Sequence, residues 1–586
     1  MMKKNKMHSI TVFLLLALCT AVRLKGQLLA PAAPEARMKE NIEVMPLEDI
    51  YLHIDRDKYI AGEDIWFSIY NIDREKESLS ARSVVAYLEL LNPWNKSVIQ
   101  KRLQLSGGRG EGNFAIPDSV SSGMYTIRAY TNWMKNFLPE NCFIHDIDIY
   151  NPFGGSEFWN KKDSADSSVT DADFPNKNEG RIILKADSIF SRREKVHMDL
   201  EVINYVREPS GISEMSISVT PAGISDASPD IGDIKISWKK ASLKYRFESD
   251  GHYLSGKVKY REGNISDFSD FLYMSVQGKV AEFRYAGIDT AGRFSFVLPV
   301  DSRSRTLILQ PDHATNNMML EIEPSFSWIQ PSSHYYKDIL SDSIIEVFSE
   351  LSFNYQAAKI YGTRTKKVNE INGKTETKKR RFYGIPEMEI LLDDYIKLPS
   401  MEEVFLELLP GVILRSRKSE YEIKITNPLT GIYYDEPPLV MIDGVIINDL
   451  RVLVNLDPET VEKIEVVKTP YLIQDLILHG IVNVITRSGD FSNITMPDYA
   501  VIMPYRVTDK SPVFSAPDYS DDLTRNNRKP DLRNTLYWNP SMKTNRNGIA
   551  EIEFWTSDLP GNYTIKIQGI SYTGARFSMN KSFTVR

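Results

Sequence analysis

The residues of this 586-residue chain that could do chemistry are its eight histidines, its two cysteines and a few closely spaced polar groups. A zinc site needs histidines, cysteines or carboxylates at short, regular spacing, as in HExxH. His8, His53, His145, His197, His252, His313, His334 and His479 are scattered and make no such pair. The chain also lacks a GxSxG nucleophile elbow, a P-loop and a GxGxxG turn after a strand. Asp55 and Asp57 have carboxylates suited to calcium, but no Asp/Asn/Gly loop surrounds them, and they read as solvated charges. Cys142 can form no internal disulfide if Cys19 leaves with a leader segment, and it reads as an apolar filler in a strand. No catalytic residue, metal ligand or cofactor is expected, and the chain reads as a non-enzyme. What remains is Asp443, Gly444 and Asn448, polar residues between apolar runs. They are candidates for a partner contact, with the alternative that Asp443 and Gly444 serve only a turn.

The elements that position these residues are legible. Apolar runs at 439–442 and 445–447 flank Asp443-Gly444, and a tight type I′ hairpin needs positive φ at both central positions. A β-branched run at 461–468 is broken by Glu462, Lys463 and Glu465, and another at 481–486 is broken by Asn483. Upstream, Ser400 and Glu403 form a capping-box pair. Val404, Phe405, Leu408 and Leu409 make one helical face, and Pro410-Gly411 stops the helix.

In this order, SMEEVFLELLPGVIL, PLVMIDG, VEKIEVVK and GIVNVITRSG resemble the plug domain of TonB-dependent outer-membrane receptors. His479-Gly480 stands where that family carries an aromatic-Gly, and no TonB box precedes the region. A receptor's plug is followed by its barrel, which takes roughly 20 strands of about ten residues. Fewer than 100 residues follow Gly489, and they do not alternate like lipid-facing strands, so no transporter barrel is expected from this chain.

Residues 1–26 read as a secretory signal, with Lys3, Lys4 and Lys6 ahead of an apolar run from Ile10 to Val22. Leu16-Ala17-Leu18-Cys19 is similar to a lipoprotein box, with bulky Leu18 where a small residue belongs. The net charge of −7 becomes −12 once Lys3, Lys4, Lys6, Arg23 and Lys25 leave with that segment. An acidic chain without a basic stripe argues against nucleic acid. With 42% apolar and 25% charged residues, the composition is that of globular domains.

Residues 27–50 read as a tether. From 51 to 153, YLHIDRDKYIAGEDIWFSIYNID and the closing SGMYTIRAY resemble a macroglobulin MG2-type β-sandwich. Residues 154–179 read as a linker and 180–245 as a second sandwich. In 246–326, Gly256-Lys257-Val258 and DTAGRFSF resemble the carboxypeptidase-regulatory type of small sandwich. A helical and basic connector is expected over 327–398, whose run 363–381 carries eight Lys or Arg, read as a solvated loop. The plug-like domain occupies 399–495, a linker 496–534 and a macroglobulin-like β segment 535–586. That last segment is short for a sandwich and is expected to complete one begun before Arg381, making the plug-like region an insertion. The Cys-Gly-Glu-Gln thioester of protease-trapping macroglobulins does not occur.

The expected fold class is mainly β, with tandem immunoglobulin-like or macroglobulin-like sandwiches and one α/β plug-like domain. The expected function is that of an exported, outer-membrane-associated recognition protein, acting in the periplasm or at the outer membrane. Its expected partner is an outer-membrane β-barrel or a TonB-type protein, with peripheral membrane association and a contribution to nutrient uptake. The alternatives are a secreted or surface glycan-binding protein, for which exposed tryptophans would be the sign, and a degenerate receptor relic with a structural role.

Overall fold

The computed structural model describes residues 42–44, 47–154, 157–162, 181–185, 187–203, 213–225, 231, 239–241, 243–260, 271–312, 318–330, 334–339, 342–362, 380–417, 420–491, 494–571 and 574–586. The stretch 1–26 read as a leader, with Cys19, most of 27–50 read as a tether, and nearly all of the basic run at 363–381 lie outside them. The protein is mainly β, with many small sheets and few helices. Among the described residues no helix is long and apolar enough to cross a membrane.

The first sandwich places Glu48–Ile54, Asp64–Asp73, Ser78–Leu79 and Arg109–Ala115 against a five-stranded sheet that ends in Ser97–Gln104. Its core takes residues of both sheets, among them Ile65, Phe67, Leu88, Phe114 and Ile127, and the strands Glu48–Ile54, Asp64–Asp73 and Val85–Leu91 are buried along their whole length. Asp55 and Asp57 are buried here rather than solvated. Asp55 accepts from the Trp66 amide at 2.8 Å, the Tyr59 hydroxyl at 2.7 Å and the Thr535 hydroxyl at 2.6 Å. Asp57 pairs with His145 at 2.8 Å. Each carboxylate is buried because a donor set replaces the lost water. Cys142 is half-buried just ahead of the strand Phe143–Tyr150, its thiol 3.2 Å from the Pro139 carbonyl and pushed up to about 12 by burial.

A second sandwich is built from two distant stretches. Lys195–Ile203 pairs with Ile549–Trp555, and Ser213–Pro221 lies between Gly561–Ser571 and Tyr537–Lys543. One core of Val196, Met198, Ile217, Phe554, Ile565 and Phe577 joins them. The third sandwich centres on His252–Tyr260 and on Phe271–Val276 with Arg305–Pro311. Its outer strand is Val501–Tyr505, which lies inside the stretch read as a linker and pairs residue for residue with Arg305 to Leu309.

Between the third sandwich and its outer strand the chain forms an α/β unit. Its mixed sheet runs in the order Met388–Leu391, Val461–Val467, Ile481–Thr486, Leu439–Ile442 and Val445–Ile446. Ser400 caps the helix Met401–Leu408 by accepting from the Glu403 amide at 3.3 Å. Val404 and Phe405 of that helix cover Val440, Ile442, Ile464 and Val484 on one face of the sheet. A longer helix, Asp342–Tyr361, lays Phe348 and Leu351 against Ile60 and Ile224, so it braces the first sandwich.

Candidate functional site at the α/β junction

The α/β sheet has two unlike faces. Its second face carries Met441, Ile446, Val467 and Ile481, which pack with Ala281 and Phe283 of the third sandwich. Among these apolar residues runs a polar row. Glu389 lies opposite Glu465, Glu465 opposite Asn483, and Asn483 beside Met441. Tyr383 crosses the row: its hydroxyl donates to Glu465 at 2.5 Å and accepts from the Asn483 amide at 3.0 Å. Arg381 donates to the other Glu465 oxygen at 2.6 Å, and Lys463 pairs with it at 2.8 Å. Glu465, Asn483 and Tyr383 are buried. Burial, and next the Glu465 carboxylate, raise the Tyr383 phenol well above its ordinary range, so it stays a donor. Glu465, one of the breaks in the first β-branched run, and Asn483, the break in the second, are thus partners at one register.

The turn Asp443-Gly444 adopts φ of 47° and 75°, as a type I′ hairpin requires. The Asp443 carboxylate accepts from the Thr486 amide at 2.7 Å, the Thr486 hydroxyl at 2.6 Å and the Phe491 amide at 2.9 Å. Its carbonyl accepts from Gly278 of the third sandwich at 2.9 Å. A Cβ on Gly444 would stand 3.1 Å from the carbonyls of both Val276 and Gly278, so the close approach needs glycine. Asp443 and Gly444 are therefore buried under a neighbouring module and present nothing to an outside partner. Asn448, the third candidate, is exposed. The sequence does not single out Glu465 as a site residue, since Glu462 and Lys463 break the same run; the available signal is a polar break on each of two facing strands.

The arrangement fastens one module to another. It has no nucleophile aligned with a base, and among the described residues no group of three metal-ligating side chains converges. At the other end of the sheet, where the strands begin or leave, several large apolar side chains face solvent. They are Ile385 at 91%, Leu429 at 89%, Ile432 at 70% and Leu472 at 65% exposure. Their loops are tied together: Glu387 accepts from the Thr469 amide at 2.9 Å, and the Tyr434 hydroxyl donates to the Lys468 carbonyl at 3.1 Å. His479, in the place of the aromatic, lies against Tyr434 with ring centroids 5.5 Å apart.

No protein-family model matches the chain, and no curated protein matches it. Among solved structures, a Salmonella α2-macroglobulin reacted with methylamine matches at 10% identity and a TM-score of 0.23, over 94% of this chain and 40% of that one. The native conformation of an Escherichia coli α2-macroglobulin matches at 8% identity and a TM-score of 0.24, over 92% and 40%. Dimeric latent PorU from Porphyromonas gingivalis matches at 10% identity and a TM-score of 0.14, over 92% and 34%. The chain thus spans about 40% of the length of the macroglobulins it matches.

Proposed function

We propose that the protein is a non-catalytic, exported recognition protein of the bacterial envelope, in which β-sandwiches carry a plug-like α/β unit toward an outer-membrane β-barrel or a TonB-type partner. The observation that carries this reading is the division of labour within the α/β unit. One face and the Asp443 turn are committed to the third sandwich, and Tyr285 also holds the hairpin beside Leu472, while Ile385, Leu429, Ile432 and Leu472 stay exposed, as do Ile396 and Leu406 elsewhere on the unit. Clustered exposed aliphatics rimmed by polar groups mark interaction surfaces. The resemblance of 399–495 to receptor plugs and of 51–153 to MG2 domains supplies the class of partner and the envelope location.

The test is an affinity pull-down of the tagged protein from crosslinked, mildly solubilised envelopes. A co-purifying β-barrel or TonB-type protein, lost on deleting 400–489 and in the double variant Leu429→Asp/Ile432→Asp, is the expected result. Recovery of the protein alone would remove the proposal.

The glycan-binding alternative fares worse on its own criterion. Trp66 and Trp538 are buried at 5% and 3% exposure, and Trp133 stacks on Phe247 at 4.3 Å. Trp555 meets Tyr519 edge-on. Of Trp66, Trp94, Trp133, Trp538 and Trp555 only Trp94 is exposed, and Trp328, the other exposed one among the described residues, stands on a separate segment.

A further inference from the structure

At one edge of the first sandwich a lysine, an asparagine and an aspartate meet across the two sheets. Lys101 lies on Ser97–Gln104, the outer strand of the five-stranded sheet. Asn113 lies on Arg109–Ala115, which pairs with Asp64–Asp73 in the opposing sheet. The Lys101 amine reaches over the edge to the Asn113 side-chain oxygen at 3.0 Å and to its main-chain carbonyl at 2.6 Å. The other end of that amide, Nδ2, donates to the Asp64 carboxylate at 2.8 Å. Asn113 is 2% exposed and Asp64 is buried, so the amide carbon is shielded from water while a nucleophile is held beside it. Such positioning replaces a bimolecular encounter with an intramolecular one.

We propose that Lys101 and Asn113 form an isopeptide bond. The unprotonated Lys101 nitrogen attacks Asn113 Cγ, a new N–C bond forms, and the bond from Cγ to Nδ2 breaks. Nδ2 leaves as ammonia, taking the proton shed by the lysine, with Asp64 as the relay because it already holds the departing nitrogen. No oxidant, reductant or cofactor enters the balance. The product ties the edge strands of the two sheets together, beside the 509–511 segment that already bonds to Arg102 and Glu111, in a chain whose leader-free form has a single cysteine and no internal disulfide. Because the amine must be neutral to attack, bond formation quickens as pH rises.

The test is mass spectrometry on the purified full-length protein after incubation at pH 8. The expected result is an intact mass short by one ammonia, and a proteolytic fragment in which the peptides containing Lys101 and Asn113 travel together. Cyclisation of an N-terminal glutamine, such as Gln27, costs the same mass, so the linked fragment decides. Lys101→Arg keeps the charge and the donors but abolishes the link, and Asp64→Asn slows its formation with folding checked by thermal unfolding. Recovery of separate, unmodified Lys101 and Asn113 peptides from folded wild-type protein overturns the proposal. So does a linked fragment joining those two peptides that survives in Lys101→Arg.

Discussion

The first sandwich and the α/β unit are both fastened to their neighbours, yet by different means. Around the first sandwich the fasteners are full charges. Arg128, 0% exposed, donates to Glu89 through Nε at 3.0 Å and through Nη2, and holds the carbonyls of Ser327 and Ile329 in the segment leaving the third sandwich. Arg56 pairs with Glu63 at 2.9 Å, and Asn534 joins the same carboxylate at 2.8 Å. Lys135, drawn down to about 8 by burial, donates to the Ser325 carbonyl at 2.5 Å. The α/β unit instead relies on apolar contact, with one polar row and one turn to set its register. A charged junction fails when one partner is removed, because the other is left buried and uncompensated. An apolar junction loses stability in proportion to what is cut away.

The sharpest way to break this contrast is Arg128→Leu. It strands Glu89 in the core and frees the carbonyls of Ser327 and Ile329, and it should cost about 3–5 kcal/mol in denaturant unfolding. A cost under ~1 kcal/mol would mean that the charged junction is no more fragile than the apolar one.

A pH series sharpens the comparison further. Burial pushes the Asp55 carboxyl up to about 6, against the pull of Arg56 and its hydrogen-bond donors, and burial likewise pushes Asp148 to about 6. A carboxyl raised in the folded state binds its proton more tightly there than in the unfolded chain. Its stabilising contribution is therefore complete below the ordinary carboxylate value near 3.8 and is lost as pH rises through about 6. Asp55 alone accounts for up to about 3 kcal/mol of that change. Thermal unfolding of wild type between pH 4 and pH 7 should show this loss, and Asp55→Asn should flatten it. An unchanged slope in the variant would locate the titration elsewhere.

The smallest effect compares two neighbours. Asp443→Ala removes three accepted hydrogen bonds and places alanine at positive φ, and should cost about 2 kcal/mol. Asn448→Ala, at an exposed site, should stay within about 0.5 kcal/mol. Equal costs would show that the turn is not what holds the unit down.

Local chemistry was readable in the chain. The Asp443-Gly444 hairpin, the Ser400 cap and the helix stop at Pro410-Gly411 each follow from residues within a few positions of one another. The identity of the site was not, because its partners are remote. Tyr383 meets Glu465 and Asn483 from 82 and 100 residues away, and Thr535 reaches Asp55 across 480. Asp55 and Asp57 read as solvated because a donor set makes no sequence pattern: Tyr59 and Trp66 lie near Asp55, but Thr535 and, for Asp57, His145 come from 480 and 88 residues away. Val501–Tyr505 was lost among prolines because its pattern is short and only its partner strand makes it β.

The second sandwich sets an order of events for the growing chain. Ser213 and Thr544, hydrogen-bonded at 2.9 Å, are 331 residues apart. While the third sandwich and the α/β unit emerge, the strand Ser213–Pro221 stands without the two strands that flank it, an open edge of the kind that invites wrong pairing. The two insertions can mature on their own contacts, but the second sandwich waits for 537–585. The last strands to emerge act as a completion signal, and a chain that stops short of them offers proteases an unfinished sheet beside finished neighbours.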